Sequence, residues 1–382
     1  MELAFLNAVY ASGGPYVCAY LDTSRNTMEP DRAMALRRRR VCETLAEQGA
    51  DAATVEAVAA VAGCDRDIAG RHGQAIVASH GRVVLTEELP EPPVRDEATF
   101  TALPDLMPLA VQHAPDIRYV AATVHSRPGP PAAPPDEVEA AYRDELEVAY
   151  QAGTWPSSAV APGVCHRMSG PAVGWLDGAG QVADGIAELA RSTGAETIVL
   201  SGITWARNAL ADHLSVRWRK RMVTSGGDGY PAPEGRALME HDLSAAFRGQ
   251  LRMTDRGRLD LFRARRTSRH GAVEGLPDVV AALRRSQVGT LLLNVPLRFP
   301  EQLPVSAGAT LVDPSDTDLE PYGALGFRGG PARAAVIRAA VRTGAGLVVV
   351  PHGQLVLDNG LGALLRYAGP ERTGYFARLL RR

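Results

Sequence analysis

A chain of 382 residues with 46% hydrophobic and 22% charged residues has globular composition. At roughly 100–200 residues per domain it calls for two or three domains. No run approaches the ~20 apolar residues that a membrane span needs. Met1-Glu2-Leu3-Ala4-Phe5 is acidic and leads straight into structured-looking sequence, so a cytoplasmic protein without a secretory signal is expected.

The net charge of −2 speaks neither for nor against nucleic acid, but Lys220 is the one lysine and the remaining basic residues are arginines. Arginine's planar fork suits phosphate and base edges, although GC-rich coding produces the same bias. Cys18, Cys42, Cys64 and Cys165 lie far apart, and none forms a Cys-x-x-Cys pair. Reduced, mostly buried thiols are therefore expected, and no metal site.

In the first third, Gly13 to Asp22 reads as a turn and then a strand rich in aromatic and β-branched residues. Pro30-Asp31 opens a helix that Gly49 closes, with Met34, Val41 and Leu45 on one apolar stripe. A second helix over Asp51 to Ala62 follows, then strands Gln74–Ser79 and Arg82–Thr86 joined by a tight His80-Gly81 turn. Glu91-Pro92-Pro93 ends that unit, and the first boundary is placed at residue 112.

The middle third opens on a strand, Arg118 to Val124, followed by a proline-rich loop from Arg127 to Pro135. Leu146, Val148 and Tyr150 alternate as a returning strand, while Asp136 to Glu147 is equally readable as helix. Gln181 to Ser192 is predicted helical, Glu196 to Ser201 a buried strand of parallel type, Ala206 to His213 a helix and Ser215 to Thr224 a strand. An arginine-dense helix over roughly Arg236 to Arg266 leads into the last third. There helices Leu276–Ser286 and Ala332–Arg342 alternate with strands Val288–Val295 and Gly346–Pro351, which predicts a mostly parallel sheet. The chain divides on this reading into residues 1–112, 113–270 and 271–382.

The predicted strand Ser215 to Thr224 carries the most specific local signal. At period two, Arg217, Arg219 and Arg221 share one face, and Val216, Trp218 and Met222 the other. Three guanidinium groups side by side repel one another unless an anion lies against them, and a phosphate backbone is the natural partner. The alternative is a solvated edge strand whose charges prevent aggregation. Arg252, Arg256, Arg258, Arg263, Arg265, Arg266 and Arg269 add a second basic segment. The run Arg37 to Arg40 says less, because successive helical positions turn by about 100° and cannot all point one way.

Enzyme signatures fail. The chain has no Gly-x-Ser-x-Gly elbow, no Gly-x-x-x-x-Gly-Lys phosphate loop and no His-Glu-x-x-His pair. A two-metal nuclease needs acidic residues on the strand Arg118 to His125, which has none. Gly329-Gly330-Pro331 reads as a turn entering a helix with proline at its first position. Gly178-Ala179-Gly180-Gln181, just before a predicted helix, is ordinarily only a turn, though its glycines permit close backbone approach to RNA.

Segments spread over the length nevertheless resemble one family. They are Gly14-Pro15-Tyr16-Val17, Tyr20-Leu21-Asp22, Gly73 to Ala78, Tyr119 to Ala122, Tyr150 to Gly153, Gly174-Trp175, Val199 to Gly202 and Gly360 to Ala368. In order and spacing they resemble the bacterial branch of the archaeo-eukaryotic release factor superfamily, Pelota-like and near the Balon-like hibernation factors. The resemblance implies an α/β protein of three domains: an N-terminal α/β domain, a ribonuclease-H-like middle domain and a C-terminal αβα sandwich. Catalytic members carry Gly-Gly-Gln in a middle-domain loop that promotes peptidyl-tRNA hydrolysis. The counterpart here is Ala179-Gly180-Gln181, with the first glycine replaced. The implied function is occupation of the ribosomal A site in hibernation or stress without peptide release, with no cofactor. The alternative is a peptidyl-tRNA hydrolase or ribosome-rescue enzyme using Gln181. The expected RNA-contacting residues are Arg217, Trp218, Arg219, Lys220, Arg221, Gly180 and Gln181. The expected partners are ribosomal RNA and an elongation-factor-Tu-type GTPase.

Overall fold

The computed structural model describes residues 1–127, 145–226, 232–295 and 332–367. Most of the expected proline-rich loop and the Gly329-Gly330-Pro331 turn lie outside the described residues, as do positions 136–144 of the strand-or-helix segment. The chain forms two compact units. One holds the described residues of 15–101 and 111–252; the other holds residues 1–14, 102–110 and the described residues from 253 on.

After a short helix α1 (Asn7–Ala11), the first sheet takes β1 (Tyr16–Asp22), β2 (Gly73–Ser79), β3 (Arg82–Leu89) and β4 (Glu97–Thr101), in the antiparallel order β3-β2-β1-β4. Between β1 and β2 the chain forms α2 (Pro30–Glu47) and α3 (Ala52–Val61). The predicted stripe Met34, Val41 and Leu45 is the buried side of α2. Val41, Leu45 and Val58 bury against Val17, Leu21 and Ile76 of the sheet. Asp51 caps α3 by accepting from the Thr54 N–H at 2.9 Å. The β2–β3 turn sets His80 at φ 51° and Gly81 at φ 73°, the left-handed pair that two-residue hairpins need.

A helix α4 (Met107–Gln112) precedes the second sheet, made of β5 (Ile117–Arg127), β6 (Glu145–Trp155), β7 (Cys165–Pro171), β8 (Thr197–Gly202) and β9 (Met222–Thr224). Its order is β7-β6-β5-β8-β9. β5, β6 and β7 run antiparallel, while β8 and β9 continue parallel to β5. That is the ribonuclease-H-like arrangement. Glu145 onward is strand, which resolves the described end of the strand-or-helix segment. Three helices follow β7 and β8: α5 (Trp175–Ser192), α6 (Thr204–His213) and α7 (Val216–Arg219). β5 buries Val120, Ala122 and Val124 beneath them, and Ile117, Tyr119 and Ala121 on the other face under α8 (Glu240–Phe247).

The expected long helix over 236–266 is instead α8 and a separate α9 (Met253–Ser268), parted at Gly249 with φ +67°. A left-handed glycine just past the last helical turn ends a helix, and here it overrides the helix-forming arginines on either side. The third sheet comprises β10 (Ala272–Glu274), β11 (Val288–Val295), β12 (Gly346–Pro351) and β13 (Leu361–Leu365), with helices α10 (Leu276–Arg284) and α11 (Ala332–Arg342). Among its described residues only β11 and β12 pair in parallel; β13 lies antiparallel to both β11 and β10. The mostly parallel sheet expected from sequence is therefore mixed. Residues 352–360 are too few for the crossover that a parallel return requires, so the chain comes back antiparallel.

Candidate RNA-contacting surface

Of the predicted strand Ser215 to Thr224 only Met222–Thr224 is strand, and the basic part is not. After α6 ends at His213, Ser215 is extended with ψ 155° and the next four residues make a single helical turn, α7. The Arg219 N–H donates to the Ser215 carbonyl at 2.9 Å and that of Lys220 to the Val216 carbonyl at 3.2 Å. Arg217, Arg219 and Arg221 therefore share no pleated face. The apolar positions had allowed both periods. Trp218 and Met222 stand four apart, which suits a helical turn as well as a strand, and strict alternation would have put Lys220 on the apolar side. Lys220 was the signal available in the sequence.

Trp218 anchors the turn. It is 3% exposed, packed in the core under α5 and α6, and so is removed from any direct RNA contact. The Arg217 guanidinium lies 5.2 Å from its ring centroid, where the ring's electron-rich face attracts the cation. Val216, expected on the same face as Trp218, is 59% exposed. Arg217, Arg219 and Lys220 are exposed and Arg221 is half-buried. Among the described residues none of these four makes an ion pair.

The second basic segment behaves differently. Arg252 holds Asp116 and Glu196 at 2.7 Å each. Arg258 pairs with Asp255, Arg263 with Asp260 and Arg266 with Glu274, while Arg265 donates to the Leu365 carbonyl at 3.0 Å. These arginines brace the fold, and their charge is largely answered from within. In the Arg37 to Arg40 run, Arg37 likewise reaches Asp22 and Asp96, and Arg39 pairs with Glu43.

Gly180 and Gln181 are also placed differently from expectation. They lie in the second turn of α5, which begins at Trp175, not in a loop before a helix that starts at 181. Trp175, Ala179, Val182, Ala183 and Ile186 are buried at helical spacing, and that stripe carries the helix through three glycines. Ala179 is wholly buried, Gln181 is exposed, and a side chain on Gly180 would meet the His213 ring at 3.4 Å. The Trp175 indole donates to the Ala206 carbonyl at 3.0 Å, fixing α5 against α6. Gly180 thus sits against His213, two residues before Ser215 and the cationic turn.

Among the described residues no group of three or more His, Cys, Asp or Glu is placed to hold a metal ion. No helix among them is long and apolar enough to cross a membrane. All four cysteines are free; Cys18 is buried, Cys42 and Cys165 partly so, and Cys64 is exposed, contrary to expectation.

Sheet order, strand directions and helical cover define a ribonuclease-H-like domain with a cationic turn leading into its last strand. Residues 118–268 match the family model of bacterial archaeo-eukaryotic release factor family 2. Two uncharacterized proteins from two strains of Mycobacterium tuberculosis, MT2704 and Rv2629, are each 26% identical over 390 residues, covering 97% of this chain and 98% of their own. Among solved structures, Archaeoglobus fulgidus Pelota is similar at 11% identity and TM-score 0.35, covering 96% of this chain and 92% of its own. Dom34 of S. cerevisiae, a translation termination-like factor interacting with Hbs1, is 11% identical with TM-score 0.35, covering 79% of this chain and 81% of its own.

Proposed function

We propose that this chain is a ribosome-binding, Pelota- and release-factor-like factor that occupies the A site in hibernation or stress without releasing peptide. The observation that carries the reading is the α7 turn: Arg217, Arg219, Lys220 and Arg221 within five residues, without ion-pair partners among the described residues. Four uncompensated cations repel one another, and an RNA backbone relieves that repulsion while releasing its own counterions. The match of residues 118–268 to a release-factor family model supports the ribosome as the source of that RNA. An elongation-factor-Tu-type GTPase is the proposed delivery partner.

The geometry of residues 179–181 favours the non-hydrolytic form. A catalytic Gly-Gly-Gln loop needs backbone freedom that glycine supplies. Here Ala179 is a core residue and Gln181 is held on a helix. Ribosome co-sedimentation over a salt series tests the reading. Replacing Arg217, Arg219 and Lys220 together with Ala is expected to flatten the log–log salt dependence by about 0.7–0.9 units per lost phosphate contact. An unchanged slope in a folded variant removes the assignment.

A further inference from the structure

Among the cations of the α7 turn, Arg217 is held differently from its neighbours. Its guanidinium carbon lies 5.2 Å from the centroid of the Trp218 ring, close enough for the negative ring face to attract it. The ring itself is fixed. Trp218 is 3% exposed and packs in the core built from β5, β6, β8, α5 and α6. The backbone of the turn is equally set: the N–H groups of Arg219 and Lys220 donate to the Ser215 and Val216 carbonyls at 2.9 and 3.2 Å, and that of Arg221 to the Trp218 carbonyl at 2.9 Å. Among the described residues the Arg217 side chain makes no ion pair and no hydrogen bond. Arg219, Lys220 and Arg221 have no ring contact among those residues.

A free arginine gives up most of its rotamer freedom when it grips a phosphate. One already drawn onto a fixed ring has given up part of that freedom in the folded protein, so binding costs less. The guanidinium is planar, and a ring against its face leaves the in-plane N–H groups available. Two of them match the two outer oxygens of a single phosphodiester. Lysine is a point charge and offers no such fork. Arg219 and Lys220 are exposed without a ring to hold them, and they act on an anion through charge. The alternative role for Arg217 is only to shield the indole from water, in which case the shape of its head group is immaterial to binding.

We infer that Trp218 is a positioning residue for RNA: its buried indole holds the Arg217 guanidinium ready for a two-point grip on one backbone phosphate. Arg217 is then the shape-selective contact of the turn, while Arg219, Lys220 and Arg221 attract the same backbone through charge. The inference rests on the proposed RNA-contacting role of α7. It gives Trp218 a part in binding although its burial keeps the indole itself away from the RNA. The chemistry recognised is the phosphodiester and not a base edge, so the grip fixes the orientation of the RNA without reading its sequence.

Ribosome co-sedimentation by variants of the full chain tests this. Arg217→Lys keeps the charge and removes the fork, so it is expected to weaken binding about tenfold with an unchanged salt slope. Arg219→Lys should lose less, about twofold. Trp218→Leu removes the ring and should weaken binding by nearly the factor of Arg217→Lys, while Trp218→Phe supplies a ring again and should recover most of that loss. Adding Arg217→Lys to Trp218→Leu should weaken binding little further, because the grip is already lost. Urea unfolding checks that the Trp218 variants fold, and the two Arg→Lys changes, at exposed positions, decide the matter if they do not. Equal losses for Arg217→Lys and Arg219→Lys, no recovery with Trp218→Phe, or additive losses in the double variant overturns the inference. Additive losses mean that Trp218 acts through the fold alone. Binding by the unmodified chain that ignores salt removes the proposed function and this inference with it, whereas salt-dependent binding with equal Arg→Lys losses removes this inference alone.

Discussion

Ala179→Gly separates a helix from a catalytic loop at residues 179–181. The substitution restores the double glycine of hydrolytic relatives, so a loop here would accept it at little cost and could gain activity. In the second turn of α5 it is expensive. Glycine in a helix interior costs about 1 kcal/mol relative to alanine, and the Ala179 methyl, wholly buried beside Trp175 and Val182, adds about 0.8 kcal/mol of lost burial. Together they predict a destabilisation of roughly 2 kcal/mol. With a urea dependence of about 1–3 kcal/mol per molar, the unfolding midpoint should fall by about 1 M. Tryptophan fluorescence is a suitable probe, because Trp175 packs one turn before Ala179 in the same core. The complementary change, Gly178→Ala, has open space at its Cβ and should stabilise the helix by about 1 kcal/mol. Neither variant should release peptide from peptidyl-tRNA on ribosomes. A neutral Ala179→Gly with a destabilising Gly178→Ala, or peptide release by Ala179→Gly, would refute the helical assignment.

Trp218→Ala should cost about 3–5 kcal/mol in urea unfolding, while Val216→Ala, at an exposed position of the same turn, should be nearly silent; equal effects would mean that α7 is not anchored by its indole. Gly202→Ala should prevent the middle domain from folding, because Gly202 has φ +102° and a Cβ there would lie 2.0 Å from the Val124 carbonyl oxygen. Native-like circular dichroism and melting for that variant would contradict the β5–β8 pairing. Glu88 carries a pH signature: its folded pKa, about 7, lies above the usual carboxylate value, so its contribution to stability is complete in acid and is lost as pH rises towards 7. Urea midpoints at pH 5, 6, 7 and 8 should show Glu88→Gln gaining on the unmodified chain up to about pH 7 and levelling above it; a constant gap would place Glu88 in water.

What the sequence determined by itself was whatever a few neighbouring residues decide. Met34, Val41 and Leu45 recur at helical spacing, and α2 buries those three side chains. His80-Gly81 sits between two alternating runs and forms the hairpin turn. The β-branched runs beginning at Tyr119 and Thr197 became β5 and β8, paired in parallel as their apolar character on both faces required. The family segments pointed to the ribonuclease-H-like order of the second sheet without any pairing being visible.

Tertiary structure decided the rest, because the deciding partners are distant in the chain. Residues 216–219 are helical since Trp218 finds a pocket under α5 and α6 while the chain turns into β9. Residues 178–181 are helical since Trp175, Ala179, Val182 and Ile186 share one buried stripe, which outweighs the propensity of two glycines. Charge was the least legible quantity. An arginine in a sequence is only a cation, and its availability depends on what folding brings beside it. Arg252 meets Asp116 and Glu196 from two other elements and is answered, whereas Arg219 and Lys220 stay exposed without an ion pair among the described residues. Glu88 and His72, sixteen positions apart, stand 4.0 Å from each other because β2 pairs with β3.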